Sequence, residues 1–168
     1  MINYVKVDGF KSLIGFKLGL NTGLNILVGP NGSGKTNIIS FFDFLGNLQE
    51  MTVSDAISRA GGAGTVFTKI GEDKYNANIA CTVCGNIRLT KYRVLFYRYK
   101  FKIGIRESVE SIGYISQHLQ LKYRTVATKI GKVPKDFDLD IETRLLDEDG
   151  HQEVTIHNID RRKFRSRY

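Results

Sequence analysis

Apolar and polar positions alternate along the first stretch of the chain with the period of strands that lie on a core. Ile2 to Val7 gives one such segment, and Ile14, Phe16, Leu18 and Leu20, spaced by Gly15, Lys17 and Gly19, give a second. Asn21-Thr22-Gly23 supplies a turn, and Leu24 to Val28 forms a third, continuous apolar run. The period then changes. Ile38, Phe41, Phe42, Leu45 and Leu48 recur at three- and four-residue intervals, which predicts an amphipathic helix from about Lys35 to Gln49. A shorter helix is expected from a Ser54 cap through Arg59. It should stop at Gly61-Gly62, because serine accepts bonds from free helical N–H groups and glycine tolerates the left-handed exit.

Beyond this point the pattern reads as β. Ile79 to Val83, Ile87 to Tyr92, Leu95 to Ile105 and Leu119 to Thr125 are rich in branched and aromatic residues. Leu139 to Leu146 and Glu153 to Ile159 flank Asp147-Glu148-Asp149-Gly150, which reads as a hairpin loop. No repeat or low-complexity linker divides the chain, so residues 1–168 are expected to form a single domain. A chain of 168 residues buries roughly two-thirds of its unfolded surface without needing staples. Composition agrees, since 42% hydrophobic and 25% charged residues is ordinary globular usage and argues against disorder or a fibrous repeat.

Between the third apolar run and the long helix stands Gly29-Pro30-Asn31-Gly32-Ser33-Gly34-Lys35-Thr36, a complete G-x-x-x-x-G-K-[ST] in its strand–loop–helix setting. Glycines let the backbone wrap close to phosphate oxygens. The loop N–H groups and the helix N-terminus present positive partial charge to those oxygens. In this pattern Lys35 reaches the β- and γ-phosphates and the Thr36 hydroxyl binds Mg²⁺, so the cofactors read from the residues are ATP and magnesium. A rival match, D-x-x-G within Leu146 to Gly150, would suit a GTPase-like switch. It lies more than 100 residues past the loop, and the chain has no N-K-x-D to read guanine.

Two further features bear on this picture. Asp8-Gly9-Phe10-Lys11-Ser12 follows the first strand, and Asn37 follows the phosphate loop. Together with Gly29 to Thr36 these resemble the ABC-type ATPases of the RecF, SMC and OLD group, in which a G/N-F-[KR]-S turn precedes a G-x-N-G-x-G-K-[ST]-N loop. Arg59, Gly61 and Gly62 are a looser match to an R-x-G-G stretch of some members. The resemblance covers about the first 65 residues. It implies an α/β P-loop NTPase fold, namely the first lobe of such a head, with a mixed β-sheet, the phosphate-loop helix and an antiparallel β-rich portion. It also implies nucleotide contacts by Gly29, Pro30, Asn31, Gly32, Ser33, Gly34, Lys35, Thr36 and Asn37. Lys11 would touch phosphate, and Gln117 would link Mg²⁺ to the second lobe.

The same family carries a serine-glycine signature, an apolar strand ending in Asp-Glu and a switch histidine, and hydrolyses ATP between two heads. None of these is found here. The stretch Asp136, Asp138, Asp140, Glu142 alternates with Phe137, Leu139 and Ile141 and lacks the consecutive apolar residues such a strand needs. The chain therefore reads as a part that binds ATP. Hydrolysis would be completed by a C-terminal half or by a homodimer of heads. A nucleotide-sensing module without hydrolysis is the alternative.

Charge adds a possible partner. Lysines and arginines outnumber acids 25 to 17, for a net charge of +8. Such a surplus attracts DNA and other polyanions. Arg98, Lys100 and Lys102 share one strand face, while Tyr97, Tyr99 and Phe101 share the other, so the aromatics are expected to face the core. That basic face is a nucleic-acid surface, a solvated face, or a face neutralised by the acids 136 to 142 if the two strands are neighbours. The tail 161–168 adds five basic residues, as a phosphate-binding arm or as the start of a helix.

Met1 to Asp8 lacks the unbroken apolar stretch of a secretory signal, and no run approaches the ~18 apolar residues of a membrane helix. A cytoplasmic protein without a membrane partner is expected. Cys81 and Cys84 form a single C-x-x-C, and His118, His151 and His157 show no spacing that would complete a zinc site, so the cysteines are expected to be ordinary reduced thiols.

Overall fold

The computed structural model describes residues 1–71, 76–106, 111–125, 137–145 and 152–157. In chain order its elements are β1 (Ile2–Asp8), β2 (Phe16–Gly19), α1 (Lys35–Glu50), α2 (Val53–Arg59), α3 (Ala63–Val66), β3 (Asn78–Thr90), β4 (Arg93–Arg106), β5 (Ser111–Thr125), β6 (Phe137–Leu145) and β7 (Gln152–His157). The strands make one sheet in the order β2-β1-β3-β4-β5-β6-β7. Every pairing is antiparallel.

Register fixes what each face carries. One row across the sheet reads Val5, Val83, Tyr99, Leu119, Ile141, Ile156, and the next reads Lys6, Thr82, Lys100, His118, Glu142, Thr155 on the opposite face. The apolar face is covered by helices over β1, β3, β4 and, through α2, the Ser111 end of β5. Burial falls accordingly along the first row, from Val5 at 1% exposed to Ile156 at 51%.

Under the helices lies the core. α1 turns Ile38, Phe41 and Phe44 inward, and α2 turns Val53, Ala56 and Ile57 inward. Phe10, in the turn after β1, stacks edge-on against Phe41 and tilted against Phe44, both at 5.3 Å between ring centroids. That turn is held on both sides. The Lys11 N–H donates to the Val66 carbonyl at 2.7 Å, and the Gly15 N–H donates to Asp8 Oδ1 at 2.7 Å.

The structure corrects several expectations. The sheet is not mixed among the described residues, where every pairing is antiparallel, and Leu24 to Val28, expected as the strand before the glycine loop, pairs with nothing and forms no strand. Ile79 to Val83 and Ile87 to Thr90 belong to one continuous strand, β3, which runs straight through Gly85, and Lys91-Tyr92 form the turn to β4. Thr52, not Ser54, caps α2: its hydroxyl accepts the Asp55 N–H at 3.2 Å, while the Ser54 hydroxyl donates to the Ile112 carbonyl at 3.1 Å. The expected hairpin loop Asp147 to Gly150, the D-x-x-G, Asp136 and the tail 161–168 lie outside the described residues.

Phe41 is the central test of this core. Phe41→Ala removes the ring that meets both Phe10 and Phe42. It should lower unfolding stability by about 3–5 kcal/mol, read from the urea midpoint.

Candidate functional site

Helix α1 begins directly on the glycine loop. Its N-cap is Gly34 at φ 87°, a left-handed conformation that a side chain would strain, and no side chain caps the helix there. Its first turn carries no acidic residue. The N–H groups at the start of a 16-residue helix therefore face outward with their positive partial charge. Lys35 folds back over the loop: its ammonium donates to the carbonyls of Gly29 and Pro30, both at 2.6 Å, and approaches Ser33 Oγ at 3.4 Å. A cation is thus held among the backbone donors of one loop. Thr36, one residue on, is exposed with its hydroxyl available. These groups fit a polyphosphate and a magnesium ion, which need several donors, one mobile cation and one neutral oxygen ligand.

The site is braced by a contact that the motif alone does not reveal. Asn37 Nδ2 donates to Ser12 Oγ at 2.7 Å, tying the first turn of α1 to the turn after β1. Phe10 two residues earlier packs on Phe41 and Phe44 of the same helix. Ser12 is thus a positioning residue for the loop, and the Phe-Lys-Ser turn was its signal in the sequence.

Two other residues singled out from the sequence lie apart from this cluster. Lys11 has positive φ at 49°, sets its ammonium 5.7 Å from the centre of the Phe10 ring, and lines a cleft with Ser40, Asp43, Asn47 and Arg59. This cleft follows α1 away from its loop end. Gln117 sits on β5, where its side-chain oxygen accepts the Tyr99 hydroxyl at 2.5 Å. Three strand spacings separate β5 from β1, about 14 Å. Neither residue has a recorded contact with Gly29 to Thr36.

The segment that feeds the loop is the most exposed apolar stretch of the site. Leu24 is 84%, Ile26 73% and Val28 90% exposed. Its course is set locally by Asn25, whose side chain accepts the Asn21 N–H at 3.0 Å and donates to the Asn21 and Gly23 carbonyls.

Comparison with known proteins now bears on this geometry. The family model described as AAA ATPase domain matches residues 1–162. The chain belongs to that family. It is also similar to the DNA replication and repair protein RecF of Glaesserella parasuis serovar 5 (strain SH0165), at 32% identity over 76 residues, covering 44% of this chain and 21% of that protein. A second relative, the Septu protein PtuA of Bacillus thuringiensis, is 46% identical over 39 residues, or 23% of this chain and 10% of that protein. No solved structure matches. Both relatives are consistent with the RecF/SMC/OLD-like type of ATPase. The matched segments are a small share of the relatives' length.

For this AAA ATPase domain the C-x-x-C is not a metal site. Residues three apart on a strand point to opposite faces, so Cys81 and Cys84 of β3 cannot converge on one ion. Among the described residues no group of three or more histidines, cysteines and acids could hold a metal. No described helix is long and apolar enough to cross a membrane. Burial, and secondarily the neighbouring Cys84, push the Cys81 thiol from 9.0 up to about 12. A raised thiol pKa means that its contribution to stability is full below pH 9 and is lost as pH rises toward 12. At pH 9 Cys81 should resist iodoacetamide in the native chain and react once urea unfolds it, as peptide mass spectrometry would record.

Proposed function

We propose that this chain binds ATP with Mg²⁺ through Gly29 to Thr36 and forms the first part of a RecF/SMC/OLD-like ATPase acting on DNA, in repair or in defence against foreign DNA. The observation that carries the reading is the Lys35 ammonium held on the Gly29 and Pro30 carbonyls at the uncapped start of α1. Phosphate oxygens would draw this cation from the loop carbonyls and take the free N–H groups of the helix start. Thr36 would supply one oxygen to magnesium, which screens the phosphate charge when bound. Lys11 is assigned a secondary phosphate contact. Gln117 is assigned a link to magnesium, which requires its release from Tyr99.

Binding and positioning are what these residues can do. A group that orients the attacking water is expected from elsewhere, either a C-terminal half of the same protein or a second head. Two observations support that division. The relatives extend far beyond the matched segments. In addition, Leu24, Ile26 and Val28 leave their apolar side chains in water, as a strand does before its neighbours are added.

Calorimetry with Mg-ATP, and with GTP as competitor, tests the site. Lys35→Ala should weaken ATP binding by roughly tenfold to a hundredfold, the loss of a charge-assisted contact of about 1.5–3 kcal/mol. The isolated chain should bind without turnover, and robust lysine-dependent turnover would overturn the division of labour. The uncovered segment offers a second check. Val28→Ser should change the stability of this chain by less than about 0.5 kcal/mol, since the side chain is already in water. In the complete ATPase the same change should cost about 1.5–3 kcal/mol, as for a buried valine, and equal effects in both would remove the argument for a covering half.

A further inference from the structure

The polar face of the sheet is electrically divided. Its β1, β2, β3 and β4 side carries Lys6, Lys17, Arg98, Lys100 and Lys102 in adjacent register rows. The single described carboxylate on that part of the face is Asp8, which accepts the Gly15 N–H. Acids gather instead on β6, and each is answered from β5 or from β6 itself. Asp140 meets His118 at 2.5 Å and Gln120 at 3.0 Å, Asp138 meets Arg124 at 2.8 Å, and Glu142 meets Arg144 at 2.9 Å. Because β5 stands between β4 and β6, the two strands run about two strand spacings, or about 10 Å, apart. That is about a Debye length in ordinary salt, ~10 Å at 0.1 M, and each β6 acid has a nearer partner, so the acids offset the β4 cations only in part.

We propose that this half-face is a phosphate-backbone surface for duplex DNA; the choice of DNA among polyanions rests on the function proposed above. Lys6, Lys100 and Lys102 border a shallow depression of about 430 Å³ whose floor includes Thr82 and Ala80, with Asp8 and Glu142, each already hydrogen-bonded elsewhere, at its rim. From Lys17 to Lys100 the field spans three strand spacings, about 14 Å, and from Arg98 to Lys102 four residues of β4, also about 14 Å. A field this broad and open suits a run of phosphates more than one small anion, which needs an enclosing cavity. Tyr99 and Phe101 project to the other face, so the contacts are to backbone phosphate and carry no base readout. A membrane surface is less well matched, because Phe96 is the single large apolar side chain that stands exposed on this face beside the cations.

The test is fluorescence anisotropy of a labelled random-sequence duplex with the full 168-residue chain, titrated with salt and paired with Mg-ATP calorimetry. Binding should weaken steeply with salt. The triple variant Lys6→Gln/Lys100→Gln/Lys102→Gln should lower the slope of log affinity against log salt by about 2–3, while Arg93→Gln, on the opposite face of β4, leaves it unchanged. ATP affinity should be the same in both variants. If the triple variant does not fold, Lys100→Gln alone should lower the slope by about 1. The proposal is overturned if the wild type shows no salt-dependent duplex binding, or if the lysine variants bind as the wild type does, which would assign binding to the tail 161–168. Tighter binding to phosphatidylserine vesicles than to duplex would overturn it as well. Loss of duplex binding with ATP binding intact leaves the nucleotide reading standing, and duplex binding without ATP binding sinks that reading alone.

Discussion

The contact of Phe10 with Phe41 and Phe44 is the constraint on which the rest of the site depends. A phosphate loop works through the position of a helix N-terminus, and α1 has no capping side chain to fix that end. It is fixed from its middle instead. Phe10 is fully buried and packs on two rings one turn apart, so the helix can neither slide nor roll on the turn after β1. The same turn presents Ser12 to Asn37, which sets the first helical turn beside it. Aromatic packing thus carries positional information to the glycine loop, and the first helical N–H groups stay free of a capping side chain.

That arrangement explains why the loop was legible in the sequence and its surroundings were not. Gly29 to Thr36 and the spacing of Ile38, Phe41 and Leu45 are local patterns, and α1 was predicted to within one residue at its end. Pairing is not local. Gly85 reads as a break between two strands, yet β3 runs through it because any side chain there would collide with the Met1 carbonyl and the Tyr97 ring. Leu24 to Val28 reads as a strand by composition, but a strand exists only where neighbours accept its hydrogen bonds, and the described residues supply none. The basic and acidic stretches around 100 and 140 read as candidate partners. The insertion of β5 between them decides the matter, and a one-strand displacement of that kind leaves no mark in either stretch.

The sheet also has more apolar face than helix to cover it. α1 and α2 close over β1, β3, the inner part of β4 and the Ser111 end of β5, while Leu119, Leu121 and Ile141 continue the same face beyond them only half-buried. Tyr99 lies at the border. Burial raises its hydroxyl pKa and Tyr114 raises it further, while its proton is given to Gln117, so a polar pair sits where the covered core ends. This explains the fate of Gln117. Its amide satisfies a half-buried phenol at the margin of the core, which holds the side chain against the sheet and away from solvent.

The two faces therefore differ in what they ask of the solvent. Water tolerates the cationic face, since lysines on an open sheet lose nothing by being hydrated, although neighbours such as Lys6 and Lys17 stand well inside the ~10 Å Debye length at 0.1 M salt and repel one another. Water does not favour Leu24, Ile26 and Val28, nor Ile39 on the outer side of α1 at 59% exposed. Burying one such side chain contributes about 1.5–3 kcal/mol, so four of them form a strong local drive to associate. They lie on both sides of the phosphate loop in the chain. An element that covered them would come to rest beside Lys35 and Thr36, so on the reading proposed above, covering the apolar surface and bringing new groups to the glycine loop would be one and the same step.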